Sequence, residues 1–181
     1  MPEFPPLESL GRRIMICGPS SAGKSTLAVA IGRRLDLPAV HLDRLYHLPN
    51  TDWVKRPTDD FVRLHDEAIA ADNWVMDGNY SGLMPRRLAR ATGIVLLGDN
   101  RFANLRRYLI RTLSTGQREG NLDGNADSIK WLMIRWILFV SQRSVRRYRQ
   151  ELPRAGLPYV ELRSMRQLNR LYAEWGLSRR R

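Results

Sequence analysis

Five short apolar runs punctuate the chain, at residues 13–17, 39–42, 73–77, 93–97 and 159–162. Each has the length of a strand, and the stretches between them place apolar residues at three- and four-residue spacing, the signature of helices. Residues 27–35 follow the first run at helical spacing. Residues 59–71 predict a helix with Phe61, Leu64, Ala68 and Ile69 on its apolar face and Thr58 as its cap. Helices are also predicted over 102–112 and 164–175. The longest, over 128–150, carries Ile129, Leu132, Met133, Trp136, Ile137 and Val140 on a broad apolar face, and Pro153 ends that region. Strands alternating with helices predict an α/β fold of three layers, α/β/α, around a five-stranded parallel sheet. In such sheets ligands bind beyond the carboxyl ends of the strands, so the residues that follow each strand decide the chemistry.

The first strand runs into Gly18-Pro19-Ser20-Ser21-Ala22-Gly23-Lys24-Ser25-Thr26, which fits the phosphate-binding pattern G-x-x-x-x-G-K-[ST] in its required strand–loop–helix setting. Gly18 and Gly23 free the backbone to turn its N–H groups of Ser20, Ser21, Ala22 and their neighbours towards phosphate oxygens. The helix that follows aims its positive end at the same point, with Thr26 in its first turn. Lys24 supplies a mobile charge for the outer phosphates and Ser25 a hydroxyl for Mg²⁺. ATP and Mg²⁺ are the ligands this implies.

An aspartate stands at or near the next three strand ends: Asp43 after 39–42, Asp77 closing 73–77, and Asp99 just beyond 93–97. Carboxylates beside a nucleotide's phosphates either hold the metal or accept the proton of an attacking hydroxyl. Asp77 is assigned to the metal with Ser25, and Asp43 to the base or to gripping the acceptor, although the residue types alone permit the reverse. Residues 45–57, with two prolines and two aromatics, read as a long acceptor-side loop in which Tyr46 and Trp53 either stack on a substrate or pin the loop down. Arg107 and Arg111, four apart on one helix face, are candidates for the nucleotide's phosphates. Residues 112–128 read as a glycine-hinged lid from which Arg118 either reaches over the transferring phosphoryl group or is a solvated loop residue.

Composition narrows this picture. The chain of 181 residues suits a single domain, with residues 1–10 read as a loose leader lacking the character of a signal peptide and 176–181 as a mobile tail. Its single cysteine, Cys17, forms no internal disulfide and is read as a small core residue, which favours a reducing cytoplasm. No apolar run is long enough to span a membrane. His41, His47 and His65 lack metal-ligand spacing and are read as packing or surface residues. A net charge of +12 admits nucleic acid as a partner as well as polyphosphate substrates. The helix over 128–150 ends in Arg143, Arg146, Arg147 and Arg149, yet cations there also suit the helix dipole, and no recognised nucleic-acid reader is present.

The loop Gly18–Thr26, the segment His41-Leu42-Asp43-Arg44-Leu45-Tyr46, the segment Trp74-Val75-Met76-Asp77-Gly78-Asn79-Tyr80-Ser81, the turn over 99–101 and the helix with Arg107 and Arg111 together resemble the adenylate kinase-like P-loop proteins known as DNA topology modulation proteins. Asn100 stands where that family usually has proline, and the family's cysteine- and proline-bearing lid stretch is absent from 117–128. The resemblance implies a nucleoside-monophosphate-kinase-like core with a lid and an acceptor-side loop. It also implies transfer of the γ-phosphate of Mg-ATP to a nucleotide, nucleoside or other small hydroxyl acceptor. The second expectation to be weighed is an ATP-binding or ATP-hydrolysing protein that contacts DNA or RNA.

Overall fold

The computed structural model describes residues 2–98, 100–113 and 131–179. Its element order is β1 (Arg13–Cys17), α1 (Lys24–Leu35), β2 (Ala39–His41), α2 (Leu42–Tyr46), α3 (Thr58–Ala70), β3 (Trp74–Asp77), α4 (Met84–Leu88), β4 (Gly93–Leu97), α5 (Arg101–Leu113), α6 (Trp131–Arg135), α7 (Ser141–Glu151), β5 (Tyr159–Leu162) and α8 (Met165–Glu174). The strands form one sheet in the order β2-β3-β1-β4-β5, and every neighbouring pair is parallel. The chain therefore lays β2 and β3 on one side of β1 and then crosses to lay β4 and β5 on the other. The end of β1 lies where the winding reverses, the position at which such sheets bind ligands.

Alternation within each strand explains why the apolar runs are continuous. Ile14, Ile16, Val75, Val95, Leu97, Val160 and Leu162 face a core built with Leu27 and Ile31 of α1 and Leu168 and Leu171 of α8. Met15, Cys17, Trp74, Met76, Ile94 and Leu96 face the opposite core, closed by Ile69 of α3, Met84 of α4, and Tyr148 and Leu152 at the end of α7. A sheet covered on both faces needs apolar residues at every position. The predicted three-layer α/β/α fold with five parallel strands is the observed one.

Several boundaries differ, each for a local reason. Leu42 starts α2 and does not end β2, so the segment expected to be irregular from residue 45 begins as helix. The following loop is tied back on itself by the bridge His47–Lys55 and by Leu48 N–H donating to Val54 O at 2.8 Å. Thr58 is the first residue of α3 and makes no capping bond; Pro57 precedes the helix. The long helix expected over 128–150 is interrupted by a π turn at Trp136–Val140. A π turn takes more residues per turn, so the buried stripe slips: Ile137, Val145 and Tyr148 are buried, while Val140 is partly exposed.

The two chain ends also depart from expectation. Of the expected loose leader, residues 3–10 are docked on the domain. Phe4, Leu7 and Leu10, three residues apart, are buried in the first core around a 3₁₀ turn at Leu7–Leu10. Trp175 Nε1 donates to Pro5 O at 2.9 Å, and Glu3 accepts from Gln167 and Arg170 of α8. The segment from 176 is likewise docked as far as Arg179: Leu177 N–H donates to Tyr172 O at 2.8 Å and Arg179 bonds Asn169. Residues 180–181 lie outside the described residues. Among the described residues no helix is long and apolar enough to cross a membrane.

Replacing Leu10, fully buried, by Ala is expected to lower stability by about 2–4 kcal/mol. Urea unfolding of the two proteins checks this; a leader outside the core would give a change near zero.

Candidate functional site

The loop between β1 and α1 leaves the sheet through Gly18, whose φ of +143° lies in the region that favours glycine. A Cβ there would stand 2.4 Å from the carbonyl oxygen of Leu97 at the end of β4. Gly23 (φ +93°) then admits the chain to the first turn of α1. Lys24 turns its ammonium onto the loop, donating to Pro19 O at 2.9 Å. The Ser21 hydroxyl is buried with no partner among the described residues. A cradle of this shape, with an orphaned hydroxyl and a cation at its rim, fits a phosphate group.

The neighbouring strand supplies the carboxylate. Asp77, buried at 5% exposure, ends β3 beside β1 in register with Ile16. Its Oδ2 accepts from Ser25 Oγ at 2.7 Å. Its Oδ1 meets His41 Nδ1 at 2.5 Å, and His41 in turn is in register with Asp77 at the end of β2. The imidazole must carry its proton on Nδ1 to make that bond. A hydroxyl and a carboxylate oxygen at this spacing suit Mg²⁺, which takes few protein ligands and completes its shell with phosphate oxygens and water. Among the described residues there is no group of three or more His, Cys, Asp or Glu that could hold a metal ion.

Four residues beyond the sequence expectations complete the edge. His41, read as a packing or surface residue, is the partner of Asp77. The Asn79 amide clamps the loop's first glycine from both sides, accepting from Gly18 N–H at 3.1 Å and donating to Gly18 O at 2.9 Å. Tyr80, at φ +36°, donates its hydroxyl to Asp43 Oδ1 at 2.6 Å. Burial, and then the Asp43 carboxylate, push the Tyr80 pKa upward, so the phenol stays a donor. Arg87, 1% exposed, donates to the Asn79 and Tyr80 carbonyls, while its Nη1 is buried without a partner among the described residues. The signal that His41 offered in the sequence is its place at the end of the second apolar run; its register with Asp77 is seen only in the sheet. An arginine in a core has no such signal.

Of the expected site residues, Gly18, Ser20, Ser21, Ala22, Gly23, Lys24, Ser25 and Thr26 form the loop and first turn, and Asp77 joins them through Ser25. Asp43 is exposed in the first turn of α2 and is brought to the same edge through Tyr80. Arg107 donates from Nε to Ser21 O at 2.9 Å and from Nη2 to the buried Asn104, so α5 is pinned to the loop. The side chain of Arg111 and the whole of Asp99 and Arg118 lie outside the described residues, as does nearly all of the lid over 112–128. Tyr46 packs at 5.0 Å from Phe61 and 4.9 Å from Tyr80, and Trp53 meets His47 edge-on at 5.2 Å. These are the contacts of loop anchors. Burial pushes the Cys17 thiol up to about 11, which removes it as a nucleophile at neutral pH.

No protein-family model matches the chain, and no curated protein matches it. Among solved structures it is similar to a gluconokinase from Sinorhizobium meliloti 1021, with 16% identity, a TM-score of 0.54, and coverage of 84% of this chain and 83% of that one. A shikimate kinase from Bacteroides thetaiotaomicron gives 18% identity, a TM-score of 0.46, and coverage of 82% and 84%. A sulfotransferase from Alicyclobacillus acidocaldarius gives 13%, 0.48, and coverage of 92% and 81%. The first likeness is one of fold: the three-layer α/β architecture is shared. The other two fall below a TM-score of 0.5 and carry no argument.

Gly18→Ala is expected to cost about 2–4 kcal/mol of folding stability, since the added methyl meets the Leu97 carbonyl and the backbone is left-handed. Chemical denaturation measures it; a cost below about 0.5 kcal/mol would show that the methyl is accommodated without meeting the Leu97 carbonyl.

Proposed function

We propose that this protein is an ATP-dependent phosphotransferase, adenylate kinase-like in organisation, which moves the γ-phosphate of Mg-ATP to a nucleotide, nucleoside or other small hydroxyl acceptor. The observation that supports this reading is the Ser25–Asp77 hydrogen bond of 2.7 Å at the mouth of the glycine loop, a hydroxyl and a carboxylate of the kind that would hold a magnesium–phosphate complex. The fold shared with a gluconokinase agrees with it. The resemblance of the Gly18–Thr26, 41–46 and 74–81 segments to the DNA topology modulation proteins belongs to the same reading.

In this reading the loop amides and Lys24 hold the phosphates, and Ser25 and Asp77 hold the metal. Bound Mg²⁺ supplies charge neutralisation at the phosphate oxygens. Asp43, steadied by Tyr80, accepts the proton of the acceptor hydroxyl as its oxygen bonds to the γ-phosphorus and the bond to the β-phosphate oxygen breaks. Arg107, held on the Ser21 carbonyl, lies beside the loop, and Arg111 and Arg118 are the further cations proposed for the phosphates and the transferring group. Asp43 is the acceptor-side base and Tyr80 its positioning residue.

A second reading, contact with nucleic acid, draws on exposed Arg143, Arg146 and Arg147 along α7. It predicts binding that falls steeply with salt. Arg147 is already within 3.4 Å of Glu151 and Arg149 within 2.5 Å of Glu161, so part of that charge is engaged, and the transfer reading is preferred.

The deciding measurement is ATP consumption across a panel of nucleoside monophosphates, nucleosides, small alcohols and DNA. Stimulation by a small acceptor with a phosphorylated product is expected; stimulation by DNA alone would reverse the ranking. Lys24→Ala is expected to reduce turnover by about a thousandfold or more, the scale of losing a preorganised charge at the transferring group. Asp43→Asn is expected to lower kcat by roughly a hundredfold or more with ATP affinity within about twofold; lost ATP affinity with unchanged transfer would assign Asp43 to nucleotide binding.

A further inference from the structure

Beside the phosphate loop, on the β5 flank and away from Asp77, the start of α1 shares a cleft of about 210 Å³ with α8 and the C-terminal segment. Its lining is Gly23, Thr26, Met165, Leu168, Tyr172 and Arg179. The chain takes trouble to bring Arg179 there. Gly176 turns left-handed at φ +61°, Leu177 N–H bonds back to Tyr172 O at 2.8 Å, and the Leu177 side chain packs on the core. This returns the chain along α8. The Arg179 guanidinium then lies over the ring of Tyr172, 4.4 Å from its centroid, and donates to Asn169 Oδ1 at 2.8 Å. Tyr172 is 7% exposed whereas Arg179 is exposed, so the stack has a buried aromatic floor and a guanidinium plane on its open side.

The direction of the phosphates connects this cleft to the loop. The Ser25 hydroxyl on Asp77 marks the metal end, where the outer phosphates sit. Thr26, the next residue, opens onto the cleft on the other flank. A phosphate chain that starts at Asp77 and follows the loop therefore runs out towards α8, and in a nucleotide the sugar and base come next. The lining offers apolar surface from Met165 and Leu168 and one planar cation. A guanidinium fixed on an aromatic ring presents its second face for stacking on a flat ring system.

We infer that this cleft receives the nucleoside end of the phosphate-bearing substrate, with the base laid on the Arg179 guanidinium and Thr26 at the junction of phosphate and sugar. The inference rests on the loop's being a nucleotide site, as proposed above, and adds a binding role for the C-terminal segment. Arg179 stacks, and its charge is secondary. Lysine, which is a point charge without a plane, replaces it poorly.

Calorimetric titration of the full chain with ATP and with inorganic tripolyphosphate, both with Mg²⁺, separates the two ends of the ligand. Arg179→Ala is expected to weaken ATP roughly 3- to 30-fold and to leave tripolyphosphate within about twofold, with Arg179→Lys recovering little of the loss. Unchanged ATP binding in Arg179→Ala, or equal loss for both ligands, overturns the inference while leaving the loop assignment standing. A wild-type chain that binds neither ligand overturns the loop assignment and this inference with it. The position is exposed near the chain end, so thermal melting of the variants is expected to match the wild type.

Discussion

The Asp77 carboxylate sits almost wholly out of water at the end of a central strand, and a charge so placed costs several kcal/mol unless donors meet it. Both oxygens are met, one by the Ser25 hydroxyl and the other by the His41 imidazole. The three partners come from the start of α1, the end of β3 and the end of β2. Satisfying one buried charge therefore fixes the first turn of α1 against two strand ends. The phosphate loop is short and glycine-bearing, and it inherits its shape from those two anchors and from the Leu97 carbonyl that leaves no room for a side chain at Gly18.

The turn after β3 joins this anchor to the other half of the edge. Asn79 grips Gly18 through both faces of its amide, while Tyr80, the next residue, holds Asp43 on α2. Arg87 closes the turn from beneath by donating to the carbonyls of both residues. A displacement of this turn would disturb the loop and Asp43 together. Hydrogen bonds that share residues in this way reinforce one another, so the turn moves as a unit. The Asp77 and Asp43 carboxylates are thus tied to one four-residue segment, residues 77–80.

Much of this was legible in the sequence where local rules decide. β1, β4 and β5 begin and end at the residues the apolar runs predict; β4, buried at every position, has no polar residue to blur its ends. Lys24, Ser25 and Asp77 were legible because a motif and a strand end are local features. Asn79 bonds Gly18 across 61 residues, a distance at which spacing carries no information. Arg87 violates the rule that arginine stays at the surface, and only tertiary structure reveals the carbonyls it serves. The first ten residues misled for a different reason: the three-residue spacing of Phe4, Leu7 and Leu10 spans a single 3₁₀ turn and is too short to register as a helix face.

The basic composition has an architectural reading. Arg90 donates to the carbonyls of Ile69 and Ala70 at the end of α3, Arg56 to those of Leu45 and His47 around the end of α2, and Arg87 and Arg107 to carbonyls of the site's own turns. Carbonyls at helix ends lack intrahelical partners and carry the negative end of the dipole, so a cation with several donors is suited to them. Arginine's planar fork reaches two carbonyls at once, which an ammonium on a flexible stem does less well. Twenty-seven arginines against three lysines is thus a preference with a structural use, and net charge alone gives little reason to look for a polyanion. Lys24, one of those three lysines, turns its ammonium onto the loop's own Pro19 carbonyl at 2.9 Å.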